Sequence, residues 1–471
     1  MEENKKMKKV LNPIDVLVTA FGAMIGWGWV ISTGTWLTQA GVLGTVIGFV
    51  LGGIMIFLIG LTYSELTTAI PKSGGAMLFS LKALGPTGAY ICSWLMILSY
   101  VGVVCFEACS IPTVLQYIFP SFLKGYLYTI AGFDIYATWV AVAVLTAILI
   151  TYVNIRGIKV AALFQTILTI IIAAVGLILI VASIFNGSVM NVNEQIFSGS
   201  EVPSILRNVL SIAAVAPFFL FGFDVIPQVA EEINVPLKKI GKLMLLSIIL
   251  AVAFYAFVVF AVGCILSKQE ISYYINNNSL ITADAMAKAF NSDAMAKVLI
   301  IGGICGIITS WNSFLMGGSR AIYAMEEAHM IPSVFMKIDS RYNTPSVAIF
   351  LIGFLSIASV FLGRSMLVWI ANIASFACCV SYSIVAISFV VIRIKEPNLN
   401  RPYKVKNFKL VGIMSIIMSI VMSSLYLIPN TGCTFTIEEF VIAGIWGAIG
   451  CLLAFLGKKY YGKKFGQIEN L

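Results

Sequence analysis

Apolar runs of about 20 residues, each long enough to cross a hydrocarbon core of about 30 Å, recur along the whole chain. They predict twelve helical spans, near 14–38, 42–69, 88–118, 136–155, 160–185, 204–230, 241–266, 297–322, 345–363, 366–393, 409–429 and 437–457. The connections between them are short, and none is long and polar enough to make a soluble domain of its own. The pattern therefore predicts one membrane domain over 14–457, with tails at 1–13 and 458–471.

Composition agrees with lipid as the solvent. The 471 residues are 60% hydrophobic and 11% charged, with a mean hydropathy of +0.98. A soluble domain carries about 25% charged residues, because it needs a solvated shell. The first apolar run follows Lys5, Lys6, Lys8 and Lys9 directly and is too long for a signal peptide, so an uncleaved first helix is expected.

Charge sets the expected orientation. With the N-terminus inside, 24 of the Lys and Arg fall on the cytoplasmic side. Only six fall outside: Lys124, Arg207, Lys268, Lys288, Lys297 and Arg364. The positive-inside rule then puts both termini in the cytoplasm and the chain in the plasma (inner) membrane. The net charge of +9 reads as a topology signal and a contact for anionic lipid, with no nucleic-acid partner. The nine cysteines lie mostly within spans and lack metal-site spacing; Cys105 and Cys109, one turn apart, read as small buried hydrophobes. No cofactor and no metal are expected from them. His329, the only histidine, falls in a loop, which excludes a histidine proton relay within the membrane.

Two spans are interrupted. Span 1 contains GAMIGWGW over 22–29, with Gly26 and Gly28 flanking one residue. Each glycine costs about 1 kcal/mol of helix propensity, so the pair favours an unwound point, although Gly22 and Gly26 also have helix-packing spacing. Gly44, Gly48 and Gly52 of span 2 recur every fourth residue and read as plain packing. Span 6 contains APFFLFGFD over 216–224, where Pro217 removes a donor and Gly222 and Asp224 follow. Breaks at matching places in two halves of a chain point to a transport site. Backbone groups freed there can bind what lipid cannot satisfy: N–H groups a carboxylate, carbonyls an ammonium.

These residues carry a resemblance. Ile25-Gly26-Trp27-Gly28 resembles the span-1 signature of the amino acid–polyamine–organocation permeases, and Gly222-Phe223-Asp224 with 230–236 (AEEINVP) resembles their span-6 signature. Tyr63–Leu66 with Pro71–Gly75, Asn154–Gly157 with Lys159 and Gln165, and Asn312, Ser319, Arg320, Tyr323–Met325, Pro332 and Asn343–Pro345 follow in register. The resemblance covers roughly 14–460. It implies an all-α, LeuT-like fold: spans 1–5 (14–185) and 6–10 (204–393) as inverted repeats, plus two extra helices (409–457). It further implies alternating access around a central site lined by spans 1, 3, 6, 8 and 10. Backbone at Ile25, Gly26, Trp27 and Gly28 is expected to hold the substrate carboxylate. Phe218 would close over the substrate, and backbone at Phe221, Gly222 and Phe223 would receive the amino group. Trp311 of span 8 is a candidate lining residue, with packing the alternative. Many relatives have a small residue where this chain has Trp27, which can shrink the pocket, stack on a substrate or point into neighbouring helices.

Acids inside a membrane are functional candidates by default. Asp224 either caps freed N–H groups at the span-6 break or acts in gating and proton sensing. Glu107 on span 3 has no basic residue near it in sequence. Burial disfavours the charged form of such a carboxyl, so it is a candidate proton carrier, a holder of a cationic group, or a partner for another helix's polar group. Glu65, at the end of span 2, is a cytoplasmic gate partner or a structural cap. Some proton-coupled relatives have a span-5 lysine where this chain has Ile172, so that mechanism is absent. Sodium coupling would use hydroxyls on span 8, for which Thr309, Ser310 and Ser313 are candidates. Proton coupling through Glu107 or Asp224 is favoured, with obligatory exchange the alternative.

Other classes fit less well. The chain lacks HExxH, a His or Cys cluster and a serine nucleophile with a partner histidine. A channel needs a continuous pore, whereas paired breaks suit an occluded site. A ligand sensor on a transporter scaffold remains a second class, separable by flux. The absence of a mid-span Lys or Arg near the breaks favours a neutral amino acid, with polyamines, other amines and acidic amino acids as alternatives.

Overall fold

The computed structural model describes residues 9–468 except 131–132, 278, 337, 340, 364–365, 430 and 432–433. Lys5, Lys6, Lys8, Lys337 and Arg364, counted in the orientation argument, lie outside the described residues. Span 1 is three pieces: α1 (Pro13–Met24), α2 (Gly28–Ile31) and α3 (Thr33–Ala40). Then come α4 (Val42–Ala69), α5 (Gly75–Ile118), a hairpin of β1 (Tyr126–Ile130) and β2 (Phe133–Tyr136), α6 (Ala137–Ile155), α7 (Ile158–Asn186) and the short α8 (Val189–Asn193). Span 6 is split into α9 (Val202–Leu220) and α10 (Val225–Gln228). It is followed by α11 (Leu237–Ile265), α12 (Lys268–Asn276), α13 (Ile281–Phe290) and α14 (Asp293–Glu327). The last four are α15 (Ser346–Val360), α16 (Met366–Lys395), α17 (Phe408–Leu425) and α18 (Ile437–Tyr461).

Among the described residues, eleven helices are long and apolar enough to cross a membrane. The expected span at 345–363 is the shorter α15 of 15 residues, about 22 Å at 1.5 Å per residue. A short helix precedes span 3. Gly85, at φ +78°, and Pro86 separate a helix over 75–84 from the long span that follows. Only a glycine takes that φ without strain, and proline suits a first helical turn.

Caps and breaks follow the residues. Asn12 accepts the N–H of Ile14 (2.8 Å) and Asp15 (3.1 Å), while Asp15 accepts the Asn12 N–H (2.9 Å), closing a capping box on α1. Helix α9 runs through Pro217 and ends four residues later, where Phe221 is extended (ψ 151°) and Gly222 has φ +139°. The glycine stripe of α4 seats this half-helix. A Cβ at Gly48 would lie 2.6 Å from Ile212 Cβ, and one at Gly52 2.6 Å from Ala216 Cβ.

A buried ion pair lies at the end of the bundle where α1 begins. Arg320 of α14 pairs with Glu232 (2.9 Å), both 1% exposed. Burial pushes the Glu232 carboxyl up and the Arg320 guanidinium pulls it back down. The backbone of Val10 and Leu11 donates to the Glu232 carbonyl (2.8 and 2.9 Å). The segment before span 1 is thereby tied to the segment after span 6.

Candidate functional site

The two breaks face each other across a cavity of about 430 Å³. Its wall is formed by α1–α3, α5, α9, α11, α14, α16 and the end of α17. Among its lining residues, Ile31 of α2 is 39% exposed. No Lys or Arg is among the described residues that line it.

At the first break, Ile25 (φ −97°, ψ 47°) leaves the helix, and Trp27 serves as N-cap of α2. The N–H groups of Gly26, Trp27 and Gly28 have no hydrogen-bond partner among the described residues. The carbonyls on this stretch are partly occupied. Tyr255 OH donates to Met24 O (3.0 Å), Thr309 Oγ1 to Gly22 O (3.0 Å) and Ser313 Oγ to Thr19 O (3.2 Å). The carbonyl oxygens of Ile25 and Gly26 turn to Gly306, lying 2.9 and 2.7 Å from where its Cβ would be.

At the second break, Asp224 Oδ1 accepts the Gly222 N–H (2.9 Å) and Oδ2 accepts Tyr100 OH (2.8 Å). The N–H that would close the last helical turn onto the Phe218 carbonyl is thus diverted to a side chain. Asp224 is fully buried and does not line the cavity. Its geometry is that of the cap, one of the two roles expected for it.

Glu107 of α5 lies between the breaks. Its Oε1 is 3.3 Å from where a Gly26 Cβ would be. It hydrogen-bonds Ser310, and its Oε2 has no partner among the described residues. The carboxyl is 4% exposed.

Of the expected lining residues, Gly26, Trp27, Gly28, Phe218, Phe221, Glu107 and Ser310 line the cavity. Several others do not. Phe223 turns away to stack among Tyr63 and Tyr382, with centroids 5.5 and 5.7 Å away. Phe219, which precedes the break on α9, lines the cavity beside Phe218. Gly222 packs on Ala23, 2.7 Å from its absent Cβ to Ala23 Cβ. Trp311 is fully buried outside the cavity. Ser310 and Phe314, four apart, form the lining face of α14, which turns Trp311 about 100° away. Ile25, Thr309 and Ser313 also lie behind the wall, the last two as donors to α1 carbonyls. Trp27 points into the neighbouring helix α14, its ring seated over Gly303.

Glu65 lies away from the cavity in a charge cluster. It pairs with Arg393 (2.7 Å) and Arg401 (3.1 Å), and accepts the Val405 N–H (2.7 Å). Burial pulls the Arg401 guanidinium below its ordinary value, while the Glu65 carboxylate acts the other way. The Asn154, Gln165 and Asn312 positions form a buried chain. Asn154 Nδ2 donates to Asn312 Oδ1 (2.8 Å), and Asn312 Nδ2 to Gln165 Oε1 (2.9 Å). That chain ties α6, α7 and α14 together. Tyr255, Asn372, Ser375 and Tyr426 also line the cavity, and no motif in the sequence marks them.

Many apolar spans, two opposed helix breaks and a cavity between them define a polytopic membrane carrier. The chain belongs to the amino acid permease family, whose profile matches residues 11–451. It is 26% identical to the methylthioribose transporter of Bacillus subtilis (strain 168), over 99% of this chain and 96% of that one. It is 27% identical to the branched-chain amino acid permease BcaP of the same organism, over 98% and 95%. A third relative there, the aspartate-proton symporter, is 25% identical over 89% of this chain and 79% of its own. Family and relatives are transporters, not enzymes.

Proposed function

We propose that the protein is a secondary active transporter that carries a neutral amino acid across the plasma (inner) membrane by alternating access, coupled to protons through Glu107. In this reading there are twelve spans, both termini are cytoplasmic, and 14–185 and 204–393 are inverted repeats followed by two extra helices. The observation that carries it is the Glu107 carboxyl, with one oxygen that has no partner among the described residues, set between two helix breaks in a cavity lined by no described Lys or Arg.

The chemistry follows from charge. The free N–H groups of Gly26 to Gly28 receive the substrate carboxylate. The Phe218 carbonyl and Glu107 receive the ammonium, and the Phe218 ring closes the cavity. A Glu107 anion is costly to seal away from water, so the loaded carrier crosses with a proton on Glu107, and proton and substrate leave together on the far side. The names of two relatives support parts of this reading: a branched-chain amino acid permease for a neutral substrate, and an aspartate-proton symporter for proton coupling. A serine/threonine exchanger among the relatives, 24% identical, supports obligatory exchange as the alternative. Sodium is a second reading on one observation: Thr309 Oγ1 lies 3.0 Å from both the Gly22 and Gly306 carbonyls.

The test is uptake of labelled amino acids into proteoliposomes under a proton gradient, a sodium gradient, or internal unlabelled amino acid alone. Stimulation by the proton gradient that Glu107→Gln removes supports the proposal. Stimulation by sodium alone, or flux only against internal amino acid, replaces its coupling. Binding without flux makes the chain a sensor.

A further inference from the structure

The α16 wall of the cavity carries polar groups that neither break supplies. Asn372 and Ser375 lie three residues apart on one face of α16, and both line the cavity. Asn372 Nδ2 donates to Glu439 Oε1 at 2.7 Å, from the first turn of α18. Glu439 is fully buried, and its other oxygen accepts the Thr436 N–H at 2.7 Å. An ionised carboxylate only accepts hydrogen bonds. The amide gives one N–H of its NH2 to Glu439, which orients the group and leaves its Oδ1 as an unspent acceptor among the described residues. Ser375 is committed in the same sense: its hydroxyl donates to the Ala371 carbonyl at 2.6 Å, which leaves only lone pairs for a ligand.

We propose that Asn372 and Ser375 form a side-chain subsite that selects neutral amino acids ending in a hydrogen-bond donor, a hydroxyl or an amide. Glu439 is the positioning residue that holds the Asn372 oxygen toward the ligand. This rests on the amino acid transport reading above. An apolar substrate side chain would strand two acceptors as the cavity closes, which costs the desolvation of each. A cationic side chain would find no counter-charge on this wall, because Glu107 sits against Gly26 and Ser310 instead.

The test compares isosteric pairs, threonine against valine and asparagine against leucine, by ligand-induced thermal stabilisation of the purified full chain. Wild type is expected to favour the donor-bearing member of at least one pair by about tenfold, as one net hydrogen bond allows. Asn372→Leu should bring that ratio to about one while the apolar member still binds, which also reports that the variant is folded. Glu439→Gln lets the amide turn either way and should lower the ratio without abolishing binding. Equal affinities in wild type, or a ratio unchanged in both variants, overturn the subsite and leave the transport reading standing. If no amino acid binds wild type at all, the transport reading falls with it.

Discussion

The indole of Trp27 occupies the space that a side chain on Gly303 would need: a Cβ there would overlap the six-membered ring. The large residue in the span-1 break and the missing side chain on α14 are one packing unit. Gly303→Ala therefore overpacks a closed site, a change worth about 1–3 kcal/mol, and should lower the apparent melting temperature of the purified protein. Trp27→Ala in the same chain should recover part of the loss, since the two residues are in contact. An unchanged melting temperature in Gly303→Ala would show that the ring does not sit there.

Asp224 is committed to two hydrogen bonds at the second break. It holds the Gly222 N–H and Tyr100 OH at 2.9 and 2.8 Å. Tyr100→Phe and Asp224→Asn should each destabilise the protein, and the double variant should show a coupling of about 0.5–3 kcal/mol in a mutant cycle. The pH profile of uptake should keep its shape in both variants. A profile that flattens only in Asp224→Asn would make this carboxyl the titrating group in place of Glu107.

Glu65 faces two guanidinium groups, with the Glu65, Arg393 and Arg401 side chains 1%, 8% and 3% exposed. Removing one partner of a buried pair typically costs about 3–5 kcal/mol, because the other charge is left uncompensated. Glu65→Gln is expected to lose stability in that range, with little relief from added salt, since a buried pair is weakly screened. Wild-type stability in Glu65→Gln would remove the cluster from the account of how this end is held together.

Much of this was legible in the chain because its signals are local. Span positions follow from apolar runs, both breaks from Gly26, Gly28, Pro217 and Gly222, and Glu107 stands out as an acid with no base beside it. What was not legible depends on distant partners or on helical phase. The seat for Trp27 is Gly303, far along the chain. That the Phe223 ring points away from the cavity follows from the turn at Phe221 and Gly222, which no periodicity crossing the break can foresee. Of the two places open to Trp311, packing is the one it takes, because Ser310 and Phe314 define the lining face. The pairing of Asn372 with Glu439 joins two helices through single residues that belong to no motif.

The central claim is that an amino acid binds in the cavity between the two breaks, and Gly26 gives the cleanest access to it. A side chain there would project toward Glu107 and Ser310, with no atom closer than 3.3 Å to its Cβ. At Gly28, by contrast, it would strike the Phe219 ring. Gly26→Leu should therefore fold and fill the site. The measurement is thermal unfolding of wild type and Gly26→Leu against a panel of amino acids, where a ligand at 100 times its Kd stabilises by about 2.7 kcal/mol. The account predicts that neutral amino acids raise the melting temperature of wild type and leave that of Gly26→Leu unmoved. An equal rise in both proteins would place the binding site elsewhere and contradict it.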